Sequence, residues 1–513
     1  MIIANFRAKR LAVIIKNLLT LIDLPSFDWW RRHFRQIPKR LFRLYKVFTF
    51  WDWFVLGLML ILLIVASRVL YLERRNFQTI FVSESGGELN IGLTPLPSNF
   101  YKPAPNNLSD QVINKLIFSP LFRVNEDGAL TPVVAESYVW DSDHKILSVK
   151  LKKAFFSNKE PITSNDVKYS FQKVIENKGV GASIFSETSF EIIDDQNFRL
   201  ILKEPYAFFE QYLNFPIYPA TLEAYPAKEK PNGSGPYRLI KTVVDKTSGE
   251  PKAMELVARE DYVLGEPGIK KLKLFFYNSQ EEVEKAYKAN KITFLFSKES
   301  NLFGQKFSLF LLKKPTLFLN TAVTPFNVET ARKDFLAKKP LSLSTPLKIL
   351  VLEGTANIES LKNFCLSANN QLNIVELSSS EFLKELSKAD YQAVFLEIEA
   401  GPRVDFYSYF HSSQIPPKGA NFSNLKNKDA DLLIEEIRHL FDQKIRQEKQ
   451  ERLEKLLEEM ALMKDFSDSD YYLFTPKDFG GIKNFKIYSL SDIFQNVEEW
   501  HILVKKQKIK KIY

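Results

Sequence analysis

The stretch LFRVNEDGALTPVVAESYVWDSDHKILSVKLKKAFFSNKEPITSNDVKYSFQKV, residues 121–174, carries the clearest local patterns of the chain. Within it, residues 146–156 alternate apolar and polar side chains, which predicts a half-buried strand. Residues 164–177 have apolar side chains at helical spacing and begin with Ser164, a residue type that favours the N-cap. A strand followed by a helix indicates an α/β chain.

The same alternation of strands and helices continues on both sides of this stretch. A strand is predicted at residues 88–93 and a helix at 108–122, and residues 189–204 are typical of a β-hairpin with its turn near Asp195. The length of 513 residues, with 45% hydrophobic side chains, is enough for two to four domains with sizeable cores.

Two continuous apolar runs follow in the second half, at residues 346–354 and 391–399. Runs of this kind are typical of parallel strands that are covered on both faces. The charged run 429–463 predicts one or two amphipathic helices. The whole pattern predicts a mixed α/β protein.

The positive charge of the chain is concentrated at one end. The formal charge is +10, but residues 1–50 hold eleven basic side chains against two acidic ones, and residues 51–75 add one more positive charge. The rest of the chain therefore sums to zero. A neutral body is a poor binder of polyanions, so we expect no nucleic-acid partner.

A single stretch is apolar enough to cross a membrane. Residues 53–72 contain one charge, Arg68, which lies near the end of the stretch where its side chain can reach the interface. Trp51 and Trp53 lie where interfacial aromatic residues are found. A buried core helix and a cleaved signal peptide are alternatives, but a signal peptide with 50 preceding residues would be unusually long. We expect an uncleaved signal anchor at 51–72.

The charge difference across the span predicts its orientation. Positive charge before the span puts the N-terminus in the cytoplasm, so the body is extracytoplasmic, in the periplasm or at the cell exterior. The cytoplasmic segment 1–50 combines an apolar helical face with alternating aromatic and basic residues. Such a segment is expected to lie on anionic membrane lipid, although a DNA-binding arm has the same composition.

The residues that usually mark metal sites and covalent catalysis are scarce. The only cysteine, Cys365, excludes an intramolecular disulfide and a cysteine zinc cluster. The five histidines include no pair at metal-ligand spacing, and no nucleotide-binding or hydrolase motif occurs. We therefore expect no cofactor, no metal and no catalytic residue, so the protein is predicted not to be an enzyme.

Several strings in fixed order resemble the solute-binding proteins of peptide ABC transporters, the oligopeptide and dipeptide binding family. Residues 121–174 match the family's pattern, and PNGSGPYRL at 231–239 matches its P-x-G-T-G-P-Y turn with Ser234 in place of threonine. LFLNTAVTPFNVETARKDFL at 317–336 is similar to another family segment. The resemblance extends over about residues 86–502.

This resemblance implies a two-lobed fold of the type II periplasmic-binding-protein class, with a cleft between the lobes, after one transmembrane helix. Lobe I is expected at residues 76–265, with 470–513 returning to it, and a reduced lobe II at 266–469. The implied function is capture of a peptide or similar small solute in the cleft and its delivery to an ABC permease. A tethered scaffold or sensor that has lost transport is the alternative.

The resemblance also directs attention to the residues after the second apolar strand. Family members that hold a peptide amine use an aspartate three residues before the aspartate that aligns with Asp405, and this chain has Pro402 there. A cationic ligand would then need Glu399 or Asp405, whereas Arg403 suits a carboxylate or phosphate. The predicted ligand-binding residues are Tyr101, Tyr237, Glu399, Arg403, Asp405 and Tyr407.

Other polar residues are interpreted as structural. Tyr237 has a packing role as its main alternative, because Gly233 and Gly235 beside it suggest a turn. His411 is expected to be a hydrogen-bonded structural histidine. Two aspartates are placed at helix starts, and three charged residues are assigned to a solvated helix face: Asp166 and Asp431, and Glu435, Glu436 and Arg438.

Overall fold

The computed structural model describes most of the chain. The described residues are 50–84, 86–98, 105, 107–125, 129–221, 231–343, 345–355, 358–367, 371–399, 404–466, 471–483 and 485–510. Nearly all of the predicted cytoplasmic segment, together with Tyr101, Pro402 and Arg403, lies outside these residues.

The chain divides into two compact units, and the larger is Phe81–Lys505. The smaller unit contains helix α1, Phe50–Asn76. Within α1 the 19 residues Phe50–Arg68 have a mean hydropathy of 2.2 and none of their surface is buried. Among the described residues, α1 is thus the helix whose length and composition suit a membrane span.

The helices and strands follow one another in the alternating order that the sequence predicts. The strands are β1 Phe77–Glu84, β2 Glu88–Leu93, β3 Phe122–Val124, β4 Leu130–Pro132, β5 Ala135–Trp140, β6 Ile146–Leu151, β7 Ser189–Ile192, β8 Asn197–Ile201, β9 Tyr237–Val244, β10 Pro251–Ala258, β11 Lys271–Phe276, β12 Leu295–Ser297, β13 Gln305–Leu311, β14 Lys313–Leu319, β15 Leu347–Leu352, β16 Leu372–Leu377, β17 Ala393–Glu399, β18 Met463–Asp465, β19 Tyr471–Thr475, β20 Phe479–Gly480, β21 Lys486–Ile487 and β22 His501–Lys510. The helices after α1 are α2 Leu108–Ile117, α3 Ser164–Glu176, α4 Ala182–Ser186, α5 Gln280–Lys288, α6 Glu329–Leu336, α7 Ile358–Ser367, α8 Ser379–Lys388, α9 Tyr407–Phe410, α10 Lys428–Arg438 and α11 Gln443–Glu459.

Three sheets organise the larger unit. The N-terminal sheet has the order β2-β11-β10-β9, and the hairpin sheet has the order β5-β6-β8-β7. The central sheet has the order β16-β15-β17-β14-β18. A fourth, smaller sheet joins β12, β19, β13 and β21.

The hairpin sheet confirms the alternation seen in the sequence. Leu147, Val149 and Leu151 of β6 are buried while the residues between them are more exposed. The N-cap of helix α3 lies one residue earlier than predicted. Thr163, not Ser164, is the N-cap, and the Asp166 carboxylate accepts hydrogen bonds from its backbone N–H and hydroxyl.

The central sheet confirms the parallel strands. Strand β15 pairs in parallel with β16 and β17, whereas β14 is antiparallel to β17. Consecutive residues Ile349, Leu350 and Val351 are buried because both faces of the sheet are covered. The charged run after it forms two helices, α10 and α11.

Helix α2 ends five residues before its predicted end. Phe118 is extended, and Pro120, which lacks a backbone N–H, pairs with Pro216 in an isolated bridge. The end of α2 packs against the glycine turn: the backbone N–H of Gly235 donates to the carbonyl of Ile117 at 2.7 Å. A Cβ at Gly235 would lie 2.5 Å from the backbone carbon of Ile117, so this glycine is required by close approach.

The largest apolar core includes residues from the hairpin sheet and from the central sheet. It contains Phe198 and Phe209 from the first half of the unit and Phe318, Leu350 and Ile434 from the second half. A separate core lies under the N-terminal sheet and includes Tyr237 and Trp500. The predicted lobe boundaries at residues 265 and 469 stay predictions.

Candidate functional site

The candidate site lies where strand β17 ends and helix α9 begins. Glu399 is the last residue of β17, and its side chain is exposed. After the undescribed residues 400–403, Asp405 precedes α9. The carboxyl end of a strand in an α/β sheet is a common place for a ligand.

Asp405 is the centre of a dense set of polar contacts. One carboxylate oxygen accepts hydrogen bonds from the Tyr206 hydroxyl at 2.8 Å and from Nε of Arg438 at 2.9 Å. The other oxygen accepts from the backbone N–H of Tyr407 at 3.0 Å. The Asp405 side chain is 13% exposed. Its carboxylate is therefore already bound by groups of the chain itself.

Arg438 is the last residue of α10, and its guanidinium lies between two aromatic rings. Its central carbon is 4.1 Å from the ring centroid of Tyr407 and 5.0 Å from that of Tyr206. Burial alone would lower the pKa of Arg438, but the Asp405 carboxylate and the Tyr206 hydroxyl together outweigh burial and raise that pKa. The prediction that Arg438 belongs to a solvated face is wrong, because its side chain is only 23% exposed and pairs with Asp405.

The surrounding tyrosines are held in their neutral form. Burial, with the nearby Asp405 charge, raises the pKa of Tyr206 well above its ordinary value of 10.0. Burial also raises the pKa of Tyr212 and of Tyr409, and the charge of Glu399 adds to both shifts. These phenols therefore act as hydrogen-bond donors at physiological pH. We call the following residues the tyrosine–carboxylate cluster: Tyr206, Tyr212, Glu399, Asp405, Tyr407, Tyr409 and Arg438.

Two backbone contacts accompany the side-chain contacts of the cluster. The N–H of Ala207 donates to the carbonyl of Arg438 at 2.8 Å, and the His439 ring nitrogen Nδ1 is 2.8 Å from the carbonyl oxygen of Pro205. The segment 205–207 is thus joined to the end of α10 by main chain as well as by side chains.

Aromatic stacking extends this junction. The His144 ring stacks on Phe441 with centroids 3.9 Å apart, and the Arg446 guanidinium lies 5.4 Å from the Phe208 ring centroid. The predicted boundary at residue 265 assigns His144 and Phe208 to lobe I and their partners to lobe II. Under that prediction, the tyrosine–carboxylate cluster spans the gap between the lobes.

Tyr237 lies away from this cluster, in the core under the N-terminal sheet. It is fully buried, its hydroxyl donates to the carbonyl of Ile269 at 2.9 Å, and burial raises its pKa. This arrangement supports the packing role that the sequence offered as its alternative; a contact with ligand stays a prediction.

The other polar residues interpreted as structural have contacts that fit that role. Ring nitrogens of His411 are 2.7 Å from the Ser413 hydroxyl and 3.1 Å from the Glu435 carboxylate. Asp431, in the first turn of α10, accepts from the backbone N–H of Ser412 at 2.8 Å. Among the described residues, no group of three or more His, Cys, Asp or Glu side chains is arranged to hold a metal ion.

The predicted membrane residues lie on α1. Trp51 and Trp53 lie in the first turn of α1, and Trp51 is 71% exposed. Arg68 is exposed at the end of the apolar window. Their positions suit a membrane span, and their contact with lipid stays a prediction.

Solved structures identify the fold first. The chain is similar to an ABC transporter substrate-binding protein, CtaP, from Listeria monocytogenes, with a TM-score of 0.65, 18% identity, and coverage of 82% of this chain and 100% of that chain. It is also similar to the oligopeptide-binding protein AppA from Bacillus subtilis in complex with a nonapeptide, with a TM-score of 0.61, 18% identity and coverage of 82% and 100%. A third structure is NikA from Brucella suis in complex with Fe(III)-EDTA, with a TM-score of 0.65, 16% identity and coverage of 81% and 100%. The fold is therefore that of the periplasmic binding proteins, as the sequence predicted.

The central part of the sequence matches a family model. Residues 129–335 match the model of the middle region of bacterial extracellular solute-binding proteins, family 5. A curated relative, the nickel-binding periplasmic protein of Escherichia coli (strain K12), is 25% identical over 271 residues, which are 48% of this chain and 49% of the relative. The chain thus matches about half the length of that relative. Together, the match over residues 129–335 and the shared fold support the resemblance to the family 5 solute-binding proteins.

Proposed function

We propose that this protein is a membrane-tethered extracytoplasmic solute-binding protein. It captures a peptide or similar small solute between its two lobes and delivers it to an ABC permease. The family and the fold support this function, and helix α1 supports the tether. No covalent chemistry is required, since capture and release need only a change between open and closed forms.

The observation that carries the proposal is the junction between segment 205–212 and the residues from Asp405 to Arg446. It includes the Tyr206–Asp405 hydrogen bond, the Ala207–Arg438 backbone hydrogen bond and the contact of Arg446 with the Phe208 ring. Polar contacts of this kind can break and reform. A solute bound beside Glu399 and the tyrosines would add contacts to the closed form and raise its population.

Distance measurements between the lobes test the proposal in the full chain. Cysteines introduced by Lys153→Cys and Lys384→Cys lie at exposed positions on the two predicted lobes. The native Cys365 is fully buried, so dyes will attach selectively to the introduced thiols. We expect a saturable shift to shorter distances with at least one pool of short peptides or with nickel and histidine. The same distribution with every pool would contradict the proposal.

The tether has its own experiment. The apolar window of α1 should hold the chain in the membrane during alkaline extraction, and the intact mass should include residues 1–72. A soluble product that begins after Ala66 would support the cleaved signal peptide instead.

A second candidate is a tethered scaffold or sensor without transport. The observation that favours it is the pairing of Asp405 with Arg438, because Asp405 is one of the two carboxylates that a cationic ligand would need in place of Pro402. A closed form that persists with and without every solute pool, while the chain still co-purifies with a membrane complex, would favour this candidate.

A further inference from the structure

We propose that Tyr206, Asp405 and Tyr407 form a cation-binding subsite that the chain's own Arg438 occupies. The inference rests on the proposed solute-binding function and specifies the solute: a free amine or guanidinium of the solute is excluded from Asp405 while Arg438 fills this place.

The geometry has the three elements that bind a planar cation. The two rings lie on the guanidinium of Arg438 at 4.1 and 5.0 Å, within the range of cation–π attraction. The Asp405 carboxylate accepts its Nε at 2.9 Å. The Tyr206 hydroxyl donates to the same carboxylate oxygen at 2.8 Å, which orients the carboxylate. A guanidinium from another molecule would meet the same groups.

The subsite is mostly buried but keeps some exposure to solvent. Tyr206 is 8% exposed, and the Arg438 side chain is 23% exposed. The cation is thus largely removed from water, which strengthens its attraction to the rings and the carboxylate, while part of the Arg438 side chain stays exposed.

Arg438 is the last residue of α10, and its backbone makes a contact of its own with segment 205–207. Its carbonyl accepts from Ala207 N–H, and this contact does not depend on the side chain. Truncation at Arg438 therefore removes the cation and leaves the walls of the subsite in place.

This arrangement predicts the solute preference of the cleft. In the wild-type chain, Asp405 should contribute nothing to a preference for a free over an acetylated amino end, because its carboxylate is paired with Arg438. Removing the Arg438 side chain should create a preference for a free amine or a guanidinium.

The test is chemical rescue of Arg438→Ala in the full chain, with ethylguanidinium as the probe. We expect ethylguanidinium to raise the thermal midpoint of Arg438→Ala saturably at millimolar concentrations and to give no saturable rise in the wild type. Arg446→Ala is the matched control, since the Arg446 guanidinium also lies over one ring, Phe208, but donates to the Leu440 carbonyl at 3.0 Å. The double variant Asp405→Asn/Arg438→Ala should not be rescued, because it lacks the carboxylate.

The outcomes separate this inference from the proposed function. A folded Arg438→Ala protein that gains no midpoint with ethylguanidinium overturns the inference. If Arg438→Ala folds only when ethylguanidinium is present, the inference is supported; if it folds in neither condition, the inference fails. If no peptide binds either protein, the proposed function fails while the rescue result still decides the role of Arg438.

Discussion

The Tyr206 hydroxyl should stabilise the closed form of the protein without being needed for folding. It donates to Asp405 across the predicted lobe boundary at 2.8 Å. The substitution Tyr206→Phe removes this hydrogen bond and keeps the ring that lies over Arg438. Hydrogen bonds to a charged group contribute about 1.5–3 kcal/mol.

The free energy lost in Tyr206→Phe should be smaller than that range. Asp405 keeps its bonds from Arg438 and from the Tyr407 backbone, so the carboxylate is not left unpaired, and its surroundings are partly exposed. We therefore expect about 1 kcal/mol, which lowers the ratio of closed to open molecules about fivefold.

Single-molecule distance distributions with labels on the two predicted lobes measure this ratio directly. Tyr237→Phe is the matched control: it also deletes a buried hydroxyl, which donates to the Ile269 carbonyl at 2.9 Å in the separate core under the N-terminal sheet. The control should lower stability to urea by about 1 kcal/mol and leave the closed-to-open ratio unchanged.

Two results would refute the reasoning. One is an unchanged distance distribution for Tyr206→Phe, which would mean that the Tyr206–Asp405 contact does not hold the lobes together. The other is an equal shift for Tyr237→Phe, which would mean that the distances report on general loosening of the fold.

Three further predictions concern stability and reactivity. Both terminal nitrogens of Arg123 donate to the buried Glu498 carboxylate, at 2.7 and 2.9 Å. Glu498→Gln should therefore lower the free energy of unfolding by about 3–5 kcal/mol in urea titrations, and the double variant Arg123→Met/Glu498→Leu should recover most of this loss. Equal losses in the single and double variants would disprove the pairing. Burial raises the pKa of Cys365 from 9.0 to about 12, so its thiol should resist a disulfide reagent at pH 8 until urea unfolds the chain. The contribution of this raised pKa to stability is complete below pH 9 and should disappear as the pH rises toward 12. Rapid labelling of the native protein would contradict this. Gly235→Ala should destabilise the fold by about 1–3 kcal/mol, because its Cβ would lie 2.6 Å from the Ile117 carbonyl oxygen, and an unchanged thermal midpoint would show that the turn can shift.

The strands were predictable because their signal is local. The alternation in residues 146–156 and the continuous apolar runs before Glu353 and Glu399 reflect which faces are covered, and the structure has strands at each place. The ends of elements were less predictable. Helix α2 stops at Ile117, where it meets the distant glycine turn at 231–239. Pro120 is a local sign of this end, whereas the sequence around α2 contains no sign of the contact with the turn.

Only part of the site could be predicted, again because the local sequence does not show distant partners. Asp405 could be found from its position after a buried strand, but its partners Tyr206 and Arg438 are 199 and 33 residues away. Arg438 follows acidic residues on an amphipathic helix, and that pattern is the same for a solvated face and for a buried ion pair.

The backbone contact at the end of α10 bears on how the protein can evolve. Arg438 joins segment 205–207 through its carbonyl oxygen, so a change of its side chain does not part the two segments. Position 438 therefore has two separable roles: its carbonyl oxygen joins the segments whatever the side chain, whereas its guanidinium neutralises Asp405. A descendant that lost this arginine would leave the carboxylate unpaired unless a cation from elsewhere, such as a solute, replaced it.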